Sequence, residues 1–228
     1  MSAAVSYTGS AADFIPPHPT LPTLREAAAH CHGCDLWAVG TQTVFGEGPR
    51  EADLMFVGEQ PGDQEDRAGE PFVGPSGRLL DAALEGAGID RSGVYITNAV
   101  KHFKWERGEK GKRRIHKKPN AMEVRACRPW LEEEVALVKP RAIVCLGATA
   151  AQSLLGKDFR LTQHRGEAIE SPWADAVFAT VHPSAVLRTP GAARERAEQE
   201  FFADIGRAGA FIKAHTAKAH SAGRTRRG

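Results

Sequence analysis

The stretch "GKRRIHKKP", residues 111–119, sets one histidine, His116, among Lys112, Arg113, Arg114, Lys117 and Lys118. Imidazole titrates near neutrality, and neighbouring positive charges disfavour its protonated form. One reading is a neutral nucleophilic ring nitrogen beside phosphate-binding cations; the other is a solvated basic loop. A second stretch, "GEQPGDQED" (58–66), uses Gly58, Pro61 and Gly62 to make a tight turn carrying Glu59, Gln60 and Asp63. "GEPFVG" follows closely and adds Phe72, an aromatic suited either to a core or to stacking on a flat ligand. Asn98 must satisfy both its carbonyl and its amide, as a structural bracket or as a reader of a ligand edge. His182, directly before Pro183, is either a satisfied structural histidine or a functional one.

Cysteine usage adds a possible metal centre. Cys31 and Cys34 form a CxxC pair in "CHGC", a spacing shared by redox, zinc and iron–sulfur sites. Cys127 lies on the apolar face of a predicted helix and is a candidate third ligand, whereas Cys145 in "AIVCLG" reads as a small core hydrophobe. The fourth ligand then has to be another residue type, and His102 is available. The first residues lack the basic and apolar regions of a signal peptide, and no apolar run approaches the roughly 20 residues that span a bilayer. A cytoplasmic protein with reduced thiols and no membrane partner is expected.

These groups need a scaffold, and the 228 residues, 42% hydrophobic and 25% charged, suffice for one α/β domain. Residues 1–22 read as an irregular leader, 23–214 as the domain and 215–228 as a basic, unstructured tail. Strands are predicted at 53–58, 94–100, 142–147 and 176–181. Helices are predicted from Leu24, over 77–89, over 123–138, after Gly147 and over 194–214. The helix at 123–138 aligns Val124, Cys127, Leu131, Val135 and Val138 on one stripe. Alternating strands and helices imply a three-layer α/β/α sandwich around a mostly parallel, four-stranded sheet. Ligands bind such sheets at the carboxyl ends of the strands, where the loops carrying Glu59, His116 and His182 converge.

Charge is unevenly distributed. Residues 101–118 hold nine Lys/Arg against two Glu, and 205–228 hold six against none, within an overall net charge of +2. Such clusters suit a polyanionic partner.

Taken together, "CHGC", "GEQPGDQEDRAGEPFVGPSGRLLD", "VYITNAVKHFK", "GKRRIHKKP", "ACRPWLEEE", "LGATAA", "QHRGE" and "TVHPSAVLR" resemble the iron–sulfur (family 4) branch of the uracil-DNA glycosylase superfamily. The match is nearest to the UdgX group, which crosslinks to uracil-containing DNA. The resemblance runs from about Cys31 to Arg188. It implies a monomer that excises uracil from DNA, single-stranded DNA preferred, and a [4Fe–4S] cluster on Cys31, Cys34 and Cys127. His102 stands where the family's fourth cysteine is usual. It also implies that Gly58–Asp63 cradles uracil and activates the nucleophile, with Glu59, Gln60 and Asp63 in that loop. Phe72 would stack on the base, Asn98 read its edge and His182 stabilise the departing O2. His116 would attack C1′, held by Glu59 and kept neutral by its cationic neighbours. Lys112, Arg113, Arg114, Lys117, Ser184 and Arg188 would meet the DNA. The competing expectations are a conventional glycosylase that turns over, and a non-catalytic zinc-stabilised nucleic-acid-binding module.

Overall fold

The structure of the protein, a computed structural model, describes residues 9–108 and 113–225, with side chains through His215. Four β-rich apolar runs form the parallel strands β1 (Leu54–Gly58), β2 (Tyr95–Asn98), β5 (Ala142–Leu146) and β7 (Ala174–Thr180). The first three are buried along their whole length, as strands covered on both faces must be. A fifth strand, β6 (Ile169–Ser171), was not anticipated; it adds antiparallel to the β7 edge and gives the order β2-β1-β5-β7-β6. At three residues, half exposed and bulged against its partner, it leaves almost no period-two signal.

Side chains alternate between the two helical layers. Phe56, Ile96, Val144 and Phe178 face α3 (Pro75–Gly86), α7 (Pro183–Arg188) and α8 (Ala193–Thr225). Met55, Tyr95, Ile143, Cys145 and Val177 face α4 (Ala121–Val138) and α5 (Ala148–Leu155). The three-layer expectation holds, and Cys145 packs as a core hydrophobe. Two short helices, α2 (Asp63–Ala68) and α6 (Leu161–His164), lie in the loops after β1 and α5.

Other expectations are revised. Leu21 already begins α1 (Leu21–Ala28), and a 3-10 turn over Ala11–Phe14 buries Ala11 beside the cysteines, so the leader is not irregular throughout. The helix expected to end at 214 runs on to Thr225, because Ala214, Ala217, Ala219 and Ala222 are strong helix formers. The basic loop is not a loop either: β3 (Trp105–Arg107) and β4 (Arg114–His116) pair antiparallel as a hairpin. Among the described residues no helix is long and apolar enough to cross a membrane.

Beneath the carboxyl end of β2, Lys101 is fully buried. Its ammonium donates to Glu134 Oε2 (2.5 Å), Thr97 Oγ1 (2.6 Å) and the Asn98 carbonyl (2.8 Å). Glu134 also accepts from Tyr95 Oη, Thr97 Oγ1 and the Gly46 amide, so every partner of the charge pair is satisfied. Replacing one member leaves the other uncompensated. Lys101→Met should lower unfolding free energy by about 3–5 kcal/mol, read as a fall in the urea midpoint. An unchanged midpoint would show that the pair is dispensable.

Candidate active site

At the carboxyl end of β1 the chain has no room for a side chain. A Cβ on Gly58 would stand 2.2 Å from Asn98 Oδ1 and 2.7 Å from Phe72 Cζ, so glycine lets the amide and the ring close on the strand end. Phe72 itself sits at φ +57°, a conformation that bulky L-residues seldom adopt. Close packing holds it there: a Cβ on Gly77 would lie 1.6 Å from the Phe72 carbonyl oxygen. The ring is buried, with its centroid 6.0 Å from that of His182 at an interplanar angle of 35°.

Asn98 lies beside this pair, and its Oδ1 is buried without a hydrogen-bond partner. An orphaned buried acceptor is costly unless a ligand supplies the donor. The backbone N–H of Ser184 donates to His182 Nδ1 (3.2 Å), so in the neutral ring the proton resides on Nε2. Burial lowers the His182 pKa to about 4, reinforced by Arg188 and, when it is protonated, by His116, so the ring is a neutral donor at pH 7.

The hairpin docks on the adjacent loop through Gln60. This buried amide accepts from the Lys104 backbone N–H (2.9 Å) and donates to the Lys117 carbonyl (2.8 Å), which fixes which end is oxygen. Its second N–H is shared between His116 Nε2 at 2.9 Å and the Lys104 carbonyl at 3.4 Å; because the amide nitrogen can only donate, His116 Nε2 is the acceptor and the neutral ring carries its proton on Nδ1. Glu59 Oε1 stands 3.8 Å from the same nitrogen, while Thr149 Oγ1 donates to Glu59 Oε2 at 2.5 Å. The His116 pKa is lowered chiefly by burial; Glu59 opposes the shift and Arg188 adds to it. The cations expected to do this are not its cause.

Arg114 explains why. Its side chain turns inward, donating to Asp63, to Asp66 Oδ2 (2.6 Å) and to Thr41 Oγ1 (3.0 Å), and stacks over Phe103 and Trp105. The guanidinium pins the hairpin to α2 and is not presented for phosphate, contrary to expectation. Asp63 is likewise committed: burial raises its pKa, but hydrogen bonds from Arg114 and Arg67 outweigh this and hold it below the usual carboxylate range. Arg113 and Arg188 are exposed, Ser184 is half-buried, Lys117 pairs with Glu106 at 2.9 Å, and Lys112 lies outside the described residues. Thr149 and Asp66 were not singled out from sequence. A hydroxyl in "GATAA" and one acid among several in "GDQED" carry no signal until their partners are placed.

The three cysteines Cys31, Cys34 and Cys127 gather with Ala11, Leu24, Phe45 and Trp130 in one buried cluster. Trp130 Nε1 donates to Cys31 Sγ (3.3 Å) and the Lys101 backbone N–H to Cys127 Sγ (3.2 Å). Burial pushes the Cys34 thiol up to about 11 and the Cys127 thiol up to about 12. N–H donors aimed at sulfur in a dry shell fit thiolate ligation of a bound cationic centre. His102 is buried too, with its Nε2 3.0 Å from Thr43 Oγ1. Among the described residues no group of three His, Cys, Asp or Glu side chains is arranged as around a single metal ion.

Known proteins are similar to this chain in sequence. The model of the uracil DNA glycosylase superfamily matches residues 45–206. The type-4 uracil-DNA glycosylase of Sulfurisphaera tokodaii is 35% identical over 190 residues, covering 80% of this chain and 82% of its own. That of Thermotoga maritima is 36% identical over 191 residues, covering 83% and 93%. A type-5 uracil-DNA glycosylase of Pyrobaculum aerophilum is 29% identical over 184 residues, covering 73% and 76%. The match spans the strand ends that carry Gly58, Asn98 and His182, and the chain belongs to the uracil-DNA glycosylase superfamily.

Proposed function

We propose that this chain excises uracil from DNA, preferentially single-stranded, and that His116 then holds the abasic sugar covalently. The unpartnered Asn98 Oδ1 carries the first part. Uracil offers an N3–H donor on its pairing edge where cytosine offers a lone pair, so a fixed carbonyl oxygen accepts one base and repels the other. Phe72 stacks on the base, and His182 Nε2–H meets O2 as negative charge develops on the leaving group. A single strand needs no pairing broken before the base enters, which favours it as substrate.

The second part rests on His116 Nε2, an acceptor in the free protein. When the ring exchanges the Gln60 N–H for the sugar, the Nε2 lone pair forms the bond to C1′. The C1′–N1 bond breaks, and its electron pair leaves with uracil. The imidazole keeps Nδ1–H and gains a positive charge, which Glu59 faces across 3.8 Å. Incubation with a uracil-containing single strand should give a slower band on a denaturing gel, and the band should weaken when the strand is first annealed to its complement. His116→Ala should abolish the band. Multiple rounds of uracil release without any band would select the conventional glycosylase instead.

The rate of adduct formation should also report the protonation of His116. Because its pKa lies below the ordinary 6.5, the rate should fall with pH around a midpoint that also lies below that value. A decline centred at or above 6.5 would contradict this.

The same reading gives the chain a [4Fe–4S] cluster held by Cys31, Cys34 and Cys127, with His102 completing the set. Such a cluster supplies iron–thiolate bonds that tie the end of α1, the CxxC turn and α4 into one unit. Glycosidic cleavage itself exchanges no electrons with a redox partner, so the role is structural. Purified protein should be brown with broad visible absorption, and Cys127→Ala should bleach it. A colourless protein carrying zinc would overturn the assignment.

A further inference from the structure

One exposed ring takes no part in the site. Among the described residues five large apolar side chains stay exposed, Trp37, Val39, Val73, Ile115 and Met122, and Trp37 is the only aromatic among them. It follows the CxxC pair by three residues, in the 3-10 turn Asp35–Ala38. Leu36 of that turn is buried, and its neighbour Trp37 is left outside, 43% exposed. The indole is nevertheless held in place. His32, between the two cysteines, lies against it with ring centroids 4.3 Å apart at 43°, and Phe14 meets His32 edge-on at 6.1 Å. Among the described residues no second ring and no cation is placed against Trp37.

The segment carrying this ring reaches the hairpin of the reacting histidine. Trp105 Nε1 donates to the Val39 carbonyl (2.8 Å), and Trp105 stands directly opposite His116 in the ladder. Opposed residues of an antiparallel pair are about 5 Å apart at Cα and project from the same face. Trp105, Arg107 and His116 therefore share one face, and Trp37, two residues from Val39, stands roughly 20 Å from His116. Arg107, Arg113 and Lys118 are exposed along the same hairpin. Two adjoining apolar side chains, Trp37 and Val39, fall well short of the roughly 800 Å² that each partner contributes to a stable protein interface. A rigid, half-exposed ring next to cations has instead the makings of a single-strand contact, where aromatic faces take bases and cations take phosphates.

We infer that Trp37, backed by His32, is a stacking platform for a nucleobase a few nucleotides from the excised uracil on the same strand. This rests on the glycosylase reading for the identity of the strand. A base within a duplex is already stacked on its neighbours, so the platform serves single strands, and it does so without sequence preference because every base has a π-face.

The test compares the full chain with Trp37→Ala and Trp37→Phe on two uracil-free single strands of equal length. One is ordinary; the other carries base-less tetrahydrofuran residues throughout, with every phosphate kept. On the ordinary strand Trp37→Ala should bind about 5- to 150-fold more weakly, the range of one lost base stack, and Trp37→Phe should recover part of the loss. The slope of log affinity against log salt should be the same for all three proteins, since stacking releases no counterions. On the base-less strand all three should bind alike. Equal affinity of wild type and Trp37→Ala for the ordinary strand would overturn the inference. So would an equal loss on the base-less strand, or a dimer in solution that Trp37→Ala dissociates. If wild type releases no uracil from a uracil-containing strand, the glycosylase reading falls, and the two uracil-free strands still decide the platform.

Discussion

The side chain on which the site depends is Gln60. An amide can sit either way round, with oxygen and nitrogen exchanged, but this one has no choice: the Lys104 amide requires its oxygen on one side and the Lys117 carbonyl requires its nitrogen on the other. Both partners belong to the hairpin, so the contact that docks the hairpin also sets the tautomer of the histidine it carries. Imidazolium would present an N–H to an N–H across 2.9 Å. Position and tautomer of His116 therefore come from one interaction.

The electrostatics of the hairpin divide between elements that look alike in sequence. Arg114 and His116 lie on the same face of one β-strand, but the arginine turns inward while the His116 ring stays half exposed. The arginine is consumed by two carboxylates of α2 and two aromatic rings, which makes it an anchor. Arg113 and Lys118 remain exposed and available to phosphate. Desolvation, more than cationic repulsion, lowers the pKa of the histidine. The carboxylate that faces it is held by a threonine from α5, so three loops at the carboxyl ends of β1, β2 and β5 meet on one ring.

Much of this was legible from residue order. Four of five strands announce themselves as apolar, β-branched runs, and the rule that loops at their carboxyl ends build the site correctly gathers Gly58, Asn98 and His182. The fifth strand, Ile169–Ser171, was illegible because a three-residue edge takes its definition from its neighbour. The hairpin escaped notice because Trp105–Arg107 and Arg114–His116 are dominated by charge rather than by the apolar, β-branched residues that mark strands, and the ion pairs of Arg114 with Asp63 and Asp66 that dock it are distant in sequence. Cations in a sequence are counted alike; burial decides which are free. The C-terminal helix shows the converse error, since basic composition suggested disorder while its alanines favoured helix.

The account is tested most directly by nitrogen-15 NMR of the full-length protein at pH 7, assigned through a His116→Gln control. The expected spectrum shows His116 neutral, with Nδ1 carrying the proton and Nε2 bearing the shift of an unprotonated, hydrogen-bond-accepting nitrogen. An imidazolium signature, or the opposite tautomer, would mean that Gln60 does not set the state of the ring, and the route from its lone pair to the sugar would be lost.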